Sequence, residues 1–309
     1  MEKEIYWLWL SGIKGFGNLR QRRLLDHWES PEFLFEEDEE HVKQFMGEEK
    51  VFSSENFKNF CQSKRELSAC FQELEKMKRH GITMLCLSEE NYPEKLRELS
   101  DAPTVLFQMG RQKAREMLHL AVVGTRRISH YGREVAVHLG KRCAEQGIVL
   151  VSGMASGVDG VAQRACLQAG GYSIGVLGSG LGFQFPAVNR DLYLKMEECG
   201  ILLSEERYDV RPLPQLFPKR NRIISGLADV VVVVEAAEKS GSLITADYAL
   251  EQGKDIYAVP GRIFDQYSQG CNHLIAQGAY VLEDMDEFFA NFTGKKKNLE
   301  KKERIIKKI

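Results

Sequence analysis

Three short apolar runs, residues 121–123, 148–151 and 173–177, each stop at a glycine-containing turn. Runs this short and this continuously apolar suit strands buried on both faces, as in a parallel sheet. Between them lie stretches of helical spacing, with Val135, Leu139, Arg142 and Cys143 along one side. Strand, glycine turn and helix in repetition is the pattern of a doubly wound α/β sheet, in which ligands bind at the carboxyl ends of the strands.

The flanking sequence extends that unit. ITMLCL and TVLFQMG, on either side of NYPEKLREL, read as two strands attached to its edge. After the third run, GILLS (200–204) reads as a strand. A helix is expected near 220–227, and VVVVVEA (230–236) is the most strongly β-prone segment and a central strand. A helix at 242–252, the strand DIYAVPG, a helix near Leu274 and YVLED close the series. The fold expected is therefore α/β: a doubly wound, mostly parallel sheet preceded by a small all-helical domain.

Residues 1–79 supply that helical domain. Residues 4–30 read as two short helices around a turn punctuated by Gly12, Gly15 and Gly17. Such a turn suits a helix-hairpin-helix that offers N–H groups to a phosphate, and equally a small bundle with a tight connection. Leu67, Phe71, Leu74 and Met77 mark one face of an amphipathic helix that ends before Gly81. The expected segmentation is 1–79 helical domain (helix-hairpin-helix-like or SAM-like), 80–292 sheet domain and 293–309 mobile basic tail.

Charge is distributed unevenly. The formal net charge is −2, but residues 1–118 carry 18 basic and 22 acidic groups, residues 119–289 carry 16 and 20, and residues 290–309 carry 8 and 2. A polyanion site in the body must then be a local cluster of cations. Seven cysteines without CxxC spacing suggest reduced thiols and no zinc site. No window resembles a membrane span, and MEKEIYWLWLSGIKGFG does not read as a signal peptide. A cytoplasmic protein is expected.

Four turns converge at the carboxyl end of such a sheet. Gly124-Thr125-Arg126-Arg127 follows the first strand of the series, which aims Arg126 at the ligand crevice. In the second, 152–160, Ser152, Gly153, Ser156 and Gly157 let a phosphate approach the backbone ahead of a helix N-terminus. There Asp159 serves as an N-cap or orients an arginine. The third, Phe217-Pro218-Lys219-Arg220-Asn221-Arg222, groups three cations and an amide beside an aromatic ring. Cations at a helix start oppose the macrodipole, so a bound phosphate or nearby acids must offset them, and Arg220 and Arg222 would bracket successive phosphates. In the fourth, Ser240, Gly241, Ser242 and Thr245 form an anion nest at a helix start, with Ser240 or Ser242 as cap. Glu235, at the end of the valine strand, is expected to pair with an arginine and orient it.

Together the stretches GTRRISHYGREVA, SGMASGVDGVAQRA, FPKRNRIISGLADVVVVVEAAEKSGSLITADYALEQG and YAVPG followed by GCNHLIAQGA resemble the DprA/Smf (DNA-processing A) family over about residues 80–285. The resemblance implies an extended Rossmann-like domain that binds and protects single-stranded DNA and helps load a RecA-type recombinase during natural transformation. It also implies a homodimer, no cofactor and no catalysis. Carried over by motif, it assigns DNA contacts to Arg126, the 152–160 turn, Lys219, Arg220, Arg222 and the 240–245 turn, and matches Lys254 to a basic position. Ser156 and Gln163 stand where the family has arginine and histidine, and the winged helix that often follows is here only LEKKERIIKKI.

The alternative is a Rossmann-like enzyme hydrolysing nucleotide glycosidic bonds, with Glu205, Asp159 or Glu235 as its carboxylate. An NAD oxidoreductase is weaker, because no GxGxxG follows the first strand.

Overall fold

The computed structural model describes residues 3–112 and 117–294. By contact they divide into two compact units. The first lies within Met1–Met109, Ser179–Gly182 and Leu203–Arg211, the second within Gly110–Gly178, Phe183–Leu202 and Pro212–Ile309.

The first unit opens with α1 (Glu4–Ser11), in which Ile5 to Leu10 are all buried, the mark of an element enclosed on every side. α2 (Asn18–Trp28), α3 (Pro31–Glu36), α4 (Glu39–Glu48) and α5 (Ser54–Ser63) follow it. Ser30, Asp38 and a Ser53–Asn56 capping box start α3, α4 and α5. Trp9 meets Phe35 and Phe60 edge-on, with ring centroids 5.0 and 5.7 Å apart. The turn between α1 and α2 is occupied by protein groups: Asn56 and Arg20 donate to the carbonyl of Gly15, Asn59 donates to that of Lys14, and Asn18 donates to Glu205. α6 (Leu67–Arg79) buries Cys70, Leu74 and Met77 and leaves Phe71 exposed. β1 (Thr83–Cys86), α7 (Glu94–Arg97) and β2 (Val105–Gly110) follow, with β1 and β2 antiparallel.

The second unit alternates strand and helix: β3 (His119–Val123), α8 (His130–Glu145), β4 (Val149–Ser152), α9 (Val158–Gln168), β5 (Tyr172–Leu177) and α10 (Arg190–Cys199). It continues through β6 (Ile201–Ser204), α11 (Leu216–Leu227), β7 (Val230–Val233), α12 (Gly241–Glu251), β8 (Asp255–Ala258), α13 (Gln269–Ala276) and β9 (Tyr280–Val281). Nine strands form one mixed sheet in the order β1-β2-β6-β5-β4-β3-β7-β8-β9, and the neighbours β5-β4, β4-β3, β3-β7, β7-β8 and β8-β9 pair in parallel. This is the mostly parallel, Rossmann-like architecture that the apolar runs imply. The valine strand β7 is interior, between β3 and β8. α11 begins at Leu216, four residues before Arg220, because Pro218 is tolerated in a first turn whose N–H groups lack helical partners anyway.

One element was not anticipated. Residues 285–294 are helical, and their Phe288, Phe289 and Phe292 are buried in the cluster that α8, α9 and β3 share. Of the expected basic tail, 293–309, residues 295–309 lie outside the described residues. All seven cysteines are free thiols and five are buried. Among the described residues, no helix is long and apolar enough to cross a membrane.

Candidate nucleic-acid interface

The carboxyl ends of β3, β4 and β7 and the starts of α11 and α12 enclose a cleft of about 550 Å³, lined among others by Arg126, Asp159, Phe217, Arg220, Asn221 and Ser242. Each is placed by the strand or helix end it terminates. Arg126 leaves β3 through Gly124 and remains exposed, its guanidinium 5.4 Å from the centroid of Phe217. Phe185 lies 5.8 Å from the same ring on its other contact. A cation and two aromatic rings thus share one wall.

Arg220 sits deeper, with 6% of its surface exposed. Its Nη1 donates to the carbonyl of Val176 at 2.6 Å, while its buried Nε has no hydrogen-bond partner among the described residues. Asp159 is its electrostatic counterpart. Burial lowers the Arg220 pKa from its ordinary value, Asp159 opposes that, and a guanidinium still keeps its proton. Burial pushes the Asp159 carboxyl above the usual carboxylate range, against the pull of Arg220 and of the Gly153 and Ala155 N–H groups. Asp159 lies in the first turn of α9, after Gly157 at the N-cap position, and accepts from the Gly153 N–H at 3.0 Å. It is the arginine-facing acid rather than the cap. Its charge answers the dipole conflict that the cations of α11 pose.

The 152–160 turn is tightly built. Gly157 has φ +80° and a Cβ there would overlap the Thr125 carbonyl, so only glycine fits. Met154 also has positive φ (56°), a strained state for a side chain of its size. Its N–H donates to Gln163 Oε1 at 3.1 Å and its carbonyl accepts from Asn189 at 2.9 Å. Gln163 is fully buried and also donates to Ser173 and to the Ile174 carbonyl. The residue that departs from the family pattern is therefore an internal brace, with no path to a phosphate. Gln163 and Asn189 lie outside the contacts that the sequence implies, since both act through the backbone.

Other expected residues divide. Asn221 lines the cleft and donates to the Gly241 carbonyl at 3.1 Å, tying α11 to α12. Ser240 is the cap of α12, accepting from the Ser242 N–H, and the two hydroxyls lie 2.8 Å apart. Gly241 and Thr245 also line the cleft. Ser152 is committed elsewhere: wholly buried, it donates to the Val122 carbonyl. Gly153 backs Arg220, and Ser156 is half-buried beside Gly157. Lys219 is exposed, and Arg222 is buried at 3% exposure. Neither is among the lining residues. Residues two apart on a helix do not share a face, so Arg220 and Arg222 do not form the expected bracket. Lys254 precedes the amino end of β8, which is parallel to β7, and so stands at the end of the sheet away from the cleft.

Glu235 corrects another expectation. In place of an arginine, it accepts from the Ser129 N–H at 3.0 Å and from the Ser129 hydroxyl. Ser129 in turn caps α8, so Glu235 fixes the start of that helix. The carboxylates of the hydrolase alternative each have a partner. Glu205 is held by Asn18, Glu235 by Ser129, and Asp159 faces Arg220. Among the described residues, no group of three His, Cys, Asp or Glu side chains is placed to hold a metal ion.

Residues 83–293 match the family model of DNA recombination-mediator protein A. The chain belongs to that family. The DNA processing protein DprA of Bacillus subtilis is 43% identical over 216 residues, 69% of this chain and 72% of that one. The X-ray structure of DprA from Streptococcus pneumoniae superposes with a TM-score of 0.79 at 33% identity, covering 93% of this chain and 96% of that one. A structure of DprA from Helicobacter pylori, described by its unique single-stranded DNA binding mode, gives 0.64 at 30% identity over 69% and 96%.

Proposed function

We propose that this family member binds single-stranded DNA in the cleft at the carboxyl end of the sheet, protects it during DNA processing in natural transformation, and helps load a RecA-type recombinase. The observation that carries this is the pairing of a fixed interior cation, Arg220, with an outer cation and ring, Arg126 over Phe217. Arginines answer phosphates and the ring offers a face to a base, about 1–3 kcal/mol per stacked base. Arg126, Gly153, Ser156, Gly157, Phe217, Arg220, Asn221, Ser240, Gly241, Ser242 and Thr245 are the assigned contacts, with Asp159 orienting. Lys219, Arg222 and Lys254 retain a DNA role only through the resemblance to the family. A non-enzymatic, cytoplasmic homodimer, with a helical domain at 1–79, the DNA-binding domain at 80–292 and a basic tail after it, completes the reading.

The reason for preferring a single strand is geometric: a flexible backbone follows a cleft among turns, whereas a rigid duplex meets the rim first. A band-shift comparison of matched oligonucleotides tests it. Tighter binding of the single strand is expected, and equal or tighter duplex binding contradicts the reading. Recombinase loading is tested by strand exchange on DNA precoated with a single-strand-binding protein, where addition of this protein should shorten the lag.

A further inference from the structure

One strand beyond β7, the loop after β8 carries the two most exposed large apolar side chains described, Ile263 at 74% and Phe264 at 93%. The loop is anchored. The Gly261 N–H and carbonyl pair with the Asn272 side chain at 3.2 and 3.1 Å, and Tyr267 accepts from the Ala236 N–H at 2.8 Å. Its tip is therefore held outward on a fixed base. Burying a phenylalanine is favourable by roughly 1.5–3 kcal/mol, so a ring kept in water on such a base suits an occupant from outside.

Position and charge name that occupant. Val123, Val233 and Ala258 form one row across β3, β7 and β8, so the turns after these strands leave the sheet at one level. Neighbouring strands lie about 4.8 Å apart, which puts the root of the Phe264 loop about 10 Å from that of Arg126. Around this rim Arg127, Arg133 and Arg262 are exposed, and Tyr131 leans on the loop through a hydrogen bond to the Pro260 carbonyl. Two carboxylates stand among them, Glu134 at 3.7 Å from His130 and Asp265 accepting from the Tyr267 N–H, while Glu235 is buried on Ser129, so the exposed arginines outnumber the acids by three to two. An exposed ring where arginines outnumber carboxylates is complementary to a base with its phosphates.

We propose that Phe264 forms an outer subsite at which a base of single-stranded DNA leaving the Arg126–Arg220 cleft stacks. This rests on the cleft binding DNA. It predicts a footprint that continues across β7 and β8, with long strands gaining affinity that short ones cannot.

The test is fluorescence anisotropy on labelled oligothymidylates of increasing length, with wild type, Phe264→Ala and Phe264→Trp. Wild type should bind short oligomers and tighten as length grows. Phe264→Ala should match it on the shortest oligomer that binds and be about 5- to 150-fold weaker on long ones. Phe264→Trp should restore the gain, and its emission should be quenched by long but not short strands. Trp7, Trp9 and Trp28 are buried and give a steady background. Equal binding of Phe264→Ala and wild type at all lengths overturns the subsite while leaving the cleft intact. Loss at every length, or a changed oligomeric state in sedimentation, also overturns it. Failure of wild type to bind any oligomer removes the cleft reading itself.

Discussion

A Cβ on Gly153 would overlap the guanidinium of Arg220. The glycine of the β4 turn and the arginine of α11 therefore occupy one space, and the turn's sequence sets the arginine's position.

Gly153→Ala should displace that guanidinium from the Val176 carbonyl. If the displaced guanidinium loses one charge-assisted hydrogen bond to a phosphate, worth about 1.5–3 kcal/mol, single-stranded DNA affinity should fall roughly 10- to 150-fold. Anisotropy titration reads this, with circular dichroism confirming the fold. Unchanged affinity would mean that Arg220 does not hold phosphate from this position.

Asp159 makes DNA binding sensitive to acid. Its folded pKa is raised, so as pH falls it is neutralised before an ordinary carboxyl would be, and Arg220 is left uncompensated. The stability sign is the same: the cost of burying this carboxylate is full above the folded pKa and gone below the unfolded value. Affinity for single-stranded DNA should therefore rise as pH falls through the folded pKa, by no more than tenfold per unit for one proton. Asp159→Asn should flatten that rise. A wild-type profile that is flat, or that weakens on acidification, would separate Asp159 from the site.

Gln163→Leu should leave the Met154 N–H without an acceptor in a turn already strained, costing about 1–3 kcal/mol of stability in urea denaturation. A neutral effect would show that the turn does not depend on this brace.

The helix over 285–294 should be part of the core. Phe289 is 1% exposed, and its truncation to alanine should cost about 3–5 kcal/mol, read by the same denaturation. A cost below 1 kcal/mol would place residues 285–294 outside the cooperative unit.

The sheet was legible because its strands are buried on both faces and punctuated by glycine, so 121–123, 148–151 and 173–177 declare themselves without tertiary information. Three of the four turns were legible for the same reason, each following a strand; the fourth stretch, 217–222, lies within α11, which starts at Leu216. What local pattern could not give was orientation. Arg220 and Arg222 look alike in sequence, yet helical phase sends only the first to the cleft. Glu235 reads as an arginine partner, but the nearest donor across the sheet is Ser129. Lys254 carries the right charge at the wrong end of a strand. The helix over 285–294 was hidden because its three phenylalanines sit beside a strongly basic stretch.

The central claim is that Arg126 and Arg220 hold DNA phosphates in the cleft. The most direct test is the salt dependence of single-stranded DNA affinity, measured by anisotropy for wild type, the Arg126→Ala/Arg220→Ala double mutant and Arg222→Ala. At about 0.7 per phosphate contact, the double mutant's log–log slope should be shallower by about 1.4, with the loss similar across base sequences. Arg222→Ala should keep the wild-type slope. A folded double mutant with an unchanged slope would contradict the account.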